Sequence, residues 1–203
     1  MPVVGSGRTP YPPAVHLAHL RLRDFRNYAR CDVDFDPGFH VLLGDNGQGK
    51  TNILEAIYLI ATLRSFRGVG GAQMIRHGQK GYFLGASVVG QTERDIKIYW
   101  SQPERKISLD AAPIKKLTDY LGTLRAVIFC TEDLQLIKGT ARLRRRFLDL
   151  LLSQTQPGYL EILQRYARAV RARNAILKQR SIDDTLLTSF SHDVLDLGNR
   201  LIT

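Results

Sequence analysis

Eight consecutive residues, Gly44, Asp45, Asn46, Gly47, Gln48, Gly49, Lys50 and Thr51, satisfy the pattern G-x-x-x-x-G-K-[ST] in full. The chemistry of these types at this spacing is the grip on a polyphosphate. Gly44, Gly47 and Gly49 let the backbone bend so that successive N–H groups point inward at phosphate oxygens. Lys50 sets a compact cation against the β- and γ-phosphates. Thr51 offers a hydroxyl to Mg²⁺, which keeps most of its waters and takes few protein ligands. The residues point to a nucleoside triphosphate held with Mg²⁺. No other metal site is expected, because the five histidines are scattered without ligand spacing.

Such a loop works only between a strand and a helix. The apolar run 39–43 predicts the strand. Residues 50–64 predict the helix, with Ile53, Leu54, Ile57, Tyr58 and Ala61 at core-facing spacing. The helix adds its positive N-terminal end to the phosphate grip. Upstream, 15–22 and 31–35 read as strands around a turn at 24–28. Downstream, after a Gly-rich connector at 67–71, residues 82–89, 95–100 and 106–110 read as antiparallel strands. A short helix is expected at 117–121 and a buried strand at 124–130. From residue 140 the texture changes to helices at 142–154, 158–179 and 183–201. In the second of these, Ile162, Leu163, Tyr166, Val170 and Leu177 share one face. Arg165, Arg168, Arg171 and Lys178 share the other, and Arg173 falls near the apolar side, where it packs or pairs. The expected organisation is a disordered leader at 1–14, an α/β nucleotide-binding lobe at 15–139 and a helical domain at 140–203.

The chain has 203 residues, of which 44% are hydrophobic, enough for a sizeable core. No apolar run approaches the roughly 20 residues of a membrane span, and the Pro- and Gly-rich leader has no signal-peptide core, so a cytoplasmic protein is expected. Cys31 and Cys130 read as buried, reduced thiols. Net charge is +10, and the stretch 138–180 carries 11 basic residues against Asp149 and Glu161, a net +9. A charge excess confined to one region suits a polyanion-binding surface or, alternatively, a solvated basic face. Trp100 and Tyr99 end a strand and read as core.

Four stretches resemble the RecF family of bacterial repair ATPases, related to SMC and ABC-type heads. They are LRLRDFRNY (20–28), GDNGQGKTNILEAIYLIATLRSFR (44–67), FCTEDLQLIKG (129–139) and RRRFLDLLLSQTQPGYLEILQRYARAVRARNAILK (144–178), in family order. The resemblance implies an α/β fold, a P-loop ABC-type ATPase head (lobe I, a mixed sheet with antiparallel strands) followed by a helical arm. It implies binding of ATP and Mg²⁺, and a homodimer that forms with ATP in the full-length protein. It also implies binding of gapped or duplex DNA with little sequence specificity, and help to RecO and RecR in loading RecA. The family's ATPase is slow and DNA-stimulated. A Walker-B strand and the signature motif are absent from these residues. The chain therefore resembles the N-terminal part of such a protein, with no catalytic residue of its own, little hydrolysis and an exposed sheet edge.

Carried over by position, residues 44–51 are the phosphate site, with Asn46 bracing the loop or reaching the γ-phosphate. Arg26 and Asn27 either line the nucleotide pocket or serve as plain turn residues. Glu132 and Asp133 stand where related heads carry a glutamine. They either contact a Mg²⁺-bound water or cap a helix. Arg64 and Arg67 either touch DNA or complement a helix dipole. Arg144, Arg145, Arg146, Arg165, Arg168 and Arg171 are the remaining DNA candidates. Other SMC- or ABC-like heads, a small P-loop kinase and a transporter ATPase compete. The kinase would need a lid with paired arginines. The transporter would need less charge asymmetry.

Overall fold

The computed structural model describes residues 15–179, 181 and 183–202, with the side chain of Glu132 outside the description. The leader expected at 1–14 lies outside the described residues. The chain divides into two compact units between Phe129 and Cys130, so the expected join at 139/140 falls inside the second.

The first unit is built on one sheet. Its strands are β1 (His16–Phe25), β2 (Tyr28–Asp34), β3 (Gly81–Val89), β4 (Glu93–Ser101), β5 (Arg105–Leu109) and β6 (Ala112–Pro113). Their order is β2-β1-β3-β4-β5-β6, and every neighbouring pair is antiparallel. Alternation of apolar and polar residues explains why these segments are strands with one wet face. Leu20 and Leu22 of β1, Leu84, Ala86 and Val88 of β3, and Ile96 and Ile98 of β4 are buried. Their neighbours Arg21, Arg23 and Lys97 point to the other face. There Asp95 receives Arg21 and Lys97, each at 2.8 Å, and Asp32 receives Arg23 at 2.9 Å.

Helix α1 (Lys50–Thr62) contributes Ile53, Ala56, Leu59, Ile60 and Ala61 to the same core. Its buried stripe differs from the expected one. Leu54 is exposed, Ile57 is half-buried, and Glu55 is fully buried. The ion pairs of Glu55 described below hold its carboxylate inside, so the stripe is turned toward that residue. The helix ends at Thr62, two residues before the expected stop. Leu63 turns left-handed at φ 57° and donates its N–H to Leu59 O. Tyr120 closes the core from the far side, donating its hydroxyl to Ile60 O.

Two expected strands are not formed. Residues 39–43 and 124–130 belong to no strand of this sheet. Phe39 is 91% exposed, Leu43 87%, Val127 90% and Phe129 95%. A β-strand is stabilised by a neighbouring backbone as well as by its side chains. Among the described residues neither segment joins a strand ladder, so apolar, β-prone sequence remains outside the sheet.

The second unit is helical: α2 (Leu134–Lys138), α3 (Ala141–Thr155), α4 (Tyr159–Ile176) and α5 (Asp184–Ile202). Gly158, left-handed at φ 82°, separates α3 from α4. The Tyr159 hydroxyl donates to Asp149 Oδ1 at 2.9 Å, joining α4 to α3. Helices α4 and α5 bury Ala169, Ile176 and Leu197. Arg173 donates Nε to Ser191 Oγ at 3.0 Å, the pairing its place on the wheel predicted. Ile176 takes the inward position expected of Leu177, which is exposed.

Candidate nucleotide site

The loop 44–51 runs over the N-terminal end of α1. Gly44, Gly47 and Gly49 all have positive φ, at 142°, 84° and 101°. This run of turns suits a loop whose N–H groups converge on one concavity. Gly49 is the N-cap and supplies no side chain. No acidic residue occupies the first turn, so the positive field of the helix end is not cancelled locally. Lys50 folds its ammonium back over the loop, donating to Gly44 O at 2.6 Å and to Asp45 O at 2.8 Å. Those partners are neutral carbonyls, so the cation keeps its net charge. Asp45, Asn46, Gln48 and Thr51 are exposed around it.

The turn between β1 and β2 lies directly against this loop. Asn27 Nδ2 donates to Gln48 O at 3.2 Å, and the Tyr28 hydroxyl donates to the same oxygen at 3.4 Å. Burial raises the Tyr28 phenol above its ordinary pKa, and the nearby Cys31 adds to the effect, so it remains a donor. Asn52, on α1, donates Nδ2 to Asn27 Oδ1 at 2.8 Å. A Cβ on Gly49 would stand 2.6 Å from Asn27 Nδ2 and 2.8 Å from the Tyr28 oxygen. Gly49 is therefore required by close approach as well as by its backbone angle.

Arg26 faces away from the loop. Its Nη2 and Nε grip Glu55 Oε1 and Oε2 at 2.7 and 2.8 Å, and its Nη1 donates to Gln73 O at 2.9 Å. Arg67 also turns to this centre, reaching Glu55 Oε2 at 3.4 Å and Asn52 Oδ1 at 3.1 Å. Ser65 Oγ donates to Glu55 Oε1 at 2.5 Å. Glu55 and Asn52 were not among the residues singled out by sequence reasoning. The available signal was a glutamate at a core position of a helix flanked by two arginine-bearing turns.

Of the other candidates, Arg64 adjoins this arrangement in sequence, next to Ser65. Arg64 is exposed at the end of the helix connection. In the second unit, Asp133 Oδ2 accepts the Cys130 N–H at 2.7 Å, closing a turn ahead of α2. The side chain of Glu132 is outside the described residues. Arg144 donates to Gly139 O at 3.0 Å, near the end of α2. Arg145 and Arg146 on α3, and Arg165, Arg168 and Arg171 on α4, are exposed.

The donors present fit a polyphosphate: a convergent glycine loop, a helix N-terminus and an uncompensated ammonium. For a divalent cation the fit is the exposed Thr51 hydroxyl. Among the described residues no group of three or more His, Cys, Asp or Glu could enclose a metal. A cation at Thr51 would then take its remaining ligands from phosphate and water, as Mg²⁺ does. No helix among the described residues is long and apolar enough to cross a membrane.

Residues 16–123 match the family model described as RecF/RecN/SMC N terminal domain. The "DNA replication and repair protein RecF" of Symbiobacterium thermophilum is 39% identical over 191 residues, covering 93% of this chain and 51% of that protein. The protein of the same description from Streptococcus uberis is 38% identical over 192 residues, covering 92% of this chain and 52% of its own. The chain thus spans about half the length of the curated relatives it matches. A solved structure of the recombination mediator protein RecF-ATP in the RecFOR pathway superposes with a TM-score of 0.89 at 27% identity. It covers 95% of this chain and 53% of that one. The chain belongs to the RecF/RecN/SMC N-terminal domain family, and its likeness within that family runs to the RecF proteins.

Proposed function

We propose that this chain is the nucleotide-holding part of a RecF-type DNA replication and repair protein, binding ATP with Mg²⁺ through residues 44–51. The observation that carries the reading is the left-handed glycine loop on the N-terminus of α1, with Lys50 poised over it. Backbone N–H groups and the Lys50 ammonium hold the phosphates, and Thr51 offers the protein's oxygen to the metal. Bound Mg²⁺ would neutralise phosphate charge. Asn27 and Tyr28 shape the loop from one side, and Asn46 and Gln48 remain free to contact the ligand.

The same reading extends to a DNA-dependent switch. In the whole protein, ATP favours a homodimer, the dimer holds gapped or duplex DNA, and RecO and RecR cooperate in loading RecA. The exposed Arg145, Arg146, Arg165, Arg168 and Arg171 support a phosphate-tracking surface on the second unit, with Arg144 among them, and Arg64 on the first unit is a separate candidate for phosphate contact. Contacts of this kind position without reading sequence, and they weaken steeply with salt. Asp133 acts as a turn cap, and Arg67 acts within the Glu55 cluster. This chain hydrolyses ATP poorly, and the protein works in the cytoplasm at the nucleoid.

Fluorescence anisotropy of a gapped duplex, with and without Mg-ATP, tests both parts. Salt-sensitive binding strengthened by ATP, and losing its ATP response in Lys50→Ala, is the expected result. Alanine at Arg165, Arg168 and Arg171 together should lower DNA affinity evenly across sequences and flatten the salt slope by about two to three counterions. DNA affinity indifferent to salt and to the triple substitution would remove the arginine surface from the reading. Absence of ATP binding by the unsubstituted chain would remove the nucleotide site.

A further inference from the structure

Glu55 is a carboxylate with no exposed surface, and it receives donors from three residues on two separate segments. They are Arg26 in the β1–β2 turn, Ser65 beyond α1, and Arg67 two residues on. A carboxylate has about four lone-pair sites, so this one is saturated. Both arginine contacts lead on to the phosphate loop. Arg26 is bonded in sequence to Asn27, which donates to Gln48 O. Arg67 donates to Asn52 Oδ1, and Asn52 Nδ2 donates to Asn27 Oδ1. The two routes converge on one carbonyl.

That carbonyl fixes the direction of a neighbouring donor. A peptide unit is planar and trans, so its N–H points opposite to its C=O. With Gln48 O held against Asn27 and Tyr28, the Gly49 N–H is turned away from them. Gly49 has φ 101° and no Cβ, so little in its own structure sets that orientation. A buried ion pair is a weak source of stability compared with apolar residues of the same volume. A buried glutamate on an otherwise apolar helix stripe is better explained by the geometry it imposes.

We propose that Glu55 is a positioning residue for the nucleotide site: it fixes Arg26 and Arg67, and through Asn27 and Asn52 it orients the Gln48–Gly49 peptide. This rests on the reading of residues 44–51 as an ATP site. Asn27 is then the point through which the Glu55 cluster acts, rather than an independent ligand contact.

The test is a double-mutant cycle on this chain with Glu55→Gln and Asn27→Ala, titrated with a fluorescent ATP analogue and melted in parallel. Each substitution should weaken the analogue about tenfold, and the double variant should be no weaker than the weaker single, because both cut one path. Losses in melting temperature should instead add, since Arg26 and Arg67 lose their partner only in Glu55→Gln. Affinity losses that multiply, or wild-type affinity in a folded Glu55→Gln chain, would overturn the proposal. If Glu55→Gln does not fold, Arg67→Ala replaces it in the cycle under the same criterion, because Arg26 and Ser65 then still satisfy Glu55. Lack of analogue binding by the unsubstituted chain would sink the ATP reading, and this inference with it.

Discussion

At Gly49 two demands meet in one residue. The backbone is left-handed, and the space a Cβ would take is filled by Asn27 and Tyr28. At Gly47, φ is also positive, at 84°, but nothing lies within 4 Å of a built Cβ. Gly49→Ala should therefore cost about 1–2 kcal/mol for the left-handed backbone and more for displacing Asn27. It should weaken ATP binding well beyond Gly47→Ala, which carries only the backbone part. Thermal melting and a fluorescent-nucleotide titration of the two variants check this. Equal effects would mean that the contact with Asn27 is soft. The need for a glycine at position 49 is written in the motif itself. That Asn27 is the neighbour requiring it comes from the β1–β2 turn, 22 residues away in the chain.

Strands and helices were read with uneven success, for one physical reason. The hairpin strands β3, β4 and β5 pair with neighbours close in sequence, so alternation and turn residues define them. The runs 39–43 and 124–130 have equally β-prone composition. Neither joins a strand of the sheet, and Phe39, Leu43, Val127 and Phe129 face solvent while Leu42, Leu124 and Ala126 pack into or against the core. Exposed apolar side chains on a β-prone segment favour association. Lysine at both Val127 and Phe129 should reduce self-association seen by light scattering. It should shift folding stability by no more than about 0.5 kcal/mol, as for ordinary surface sites. A clear drop in melting temperature would show that these side chains are packed in the isolated chain. For α1, the periodicity located the helix and missed its rotation. Hydrophobic spacing treats a glutamate as outward-facing, and it cannot register a partner arginine 29 positions earlier.

Over the whole first unit, one core serves the sheet and α1, and two tyrosines report on its integrity. Burial pushes the Tyr82 phenol from 10.0 up to about 12 and raises that of Tyr120 as well. A raised phenol pKa means the fold favours the neutral form. The stabilisation is fully present below pH 10 and is lost as pH climbs through about 12. Denaturant melts between pH 9 and about 12 should show stability falling across that window, by on the order of 2 kcal/mol for Tyr82 alone. Tyr82→Phe should flatten the fall. A pH-independent profile would place the ring in contact with water. The glycine-rich motif at residues 44–51, the antiparallel hairpins and the run of helices after residue 140 were legible from the residues alone. Each depends on residues adjacent in the chain or on a short repeat of polarity. Only the tertiary structure decided that Arg26 and Arg67 turn inward to Glu55, and that Asn27 holds the Gln48 carbonyl. It alone left two β-prone runs outside the sheet. Those outcomes depend on contacts between distant segments, and local propensity carries no information about which distant partner will be present.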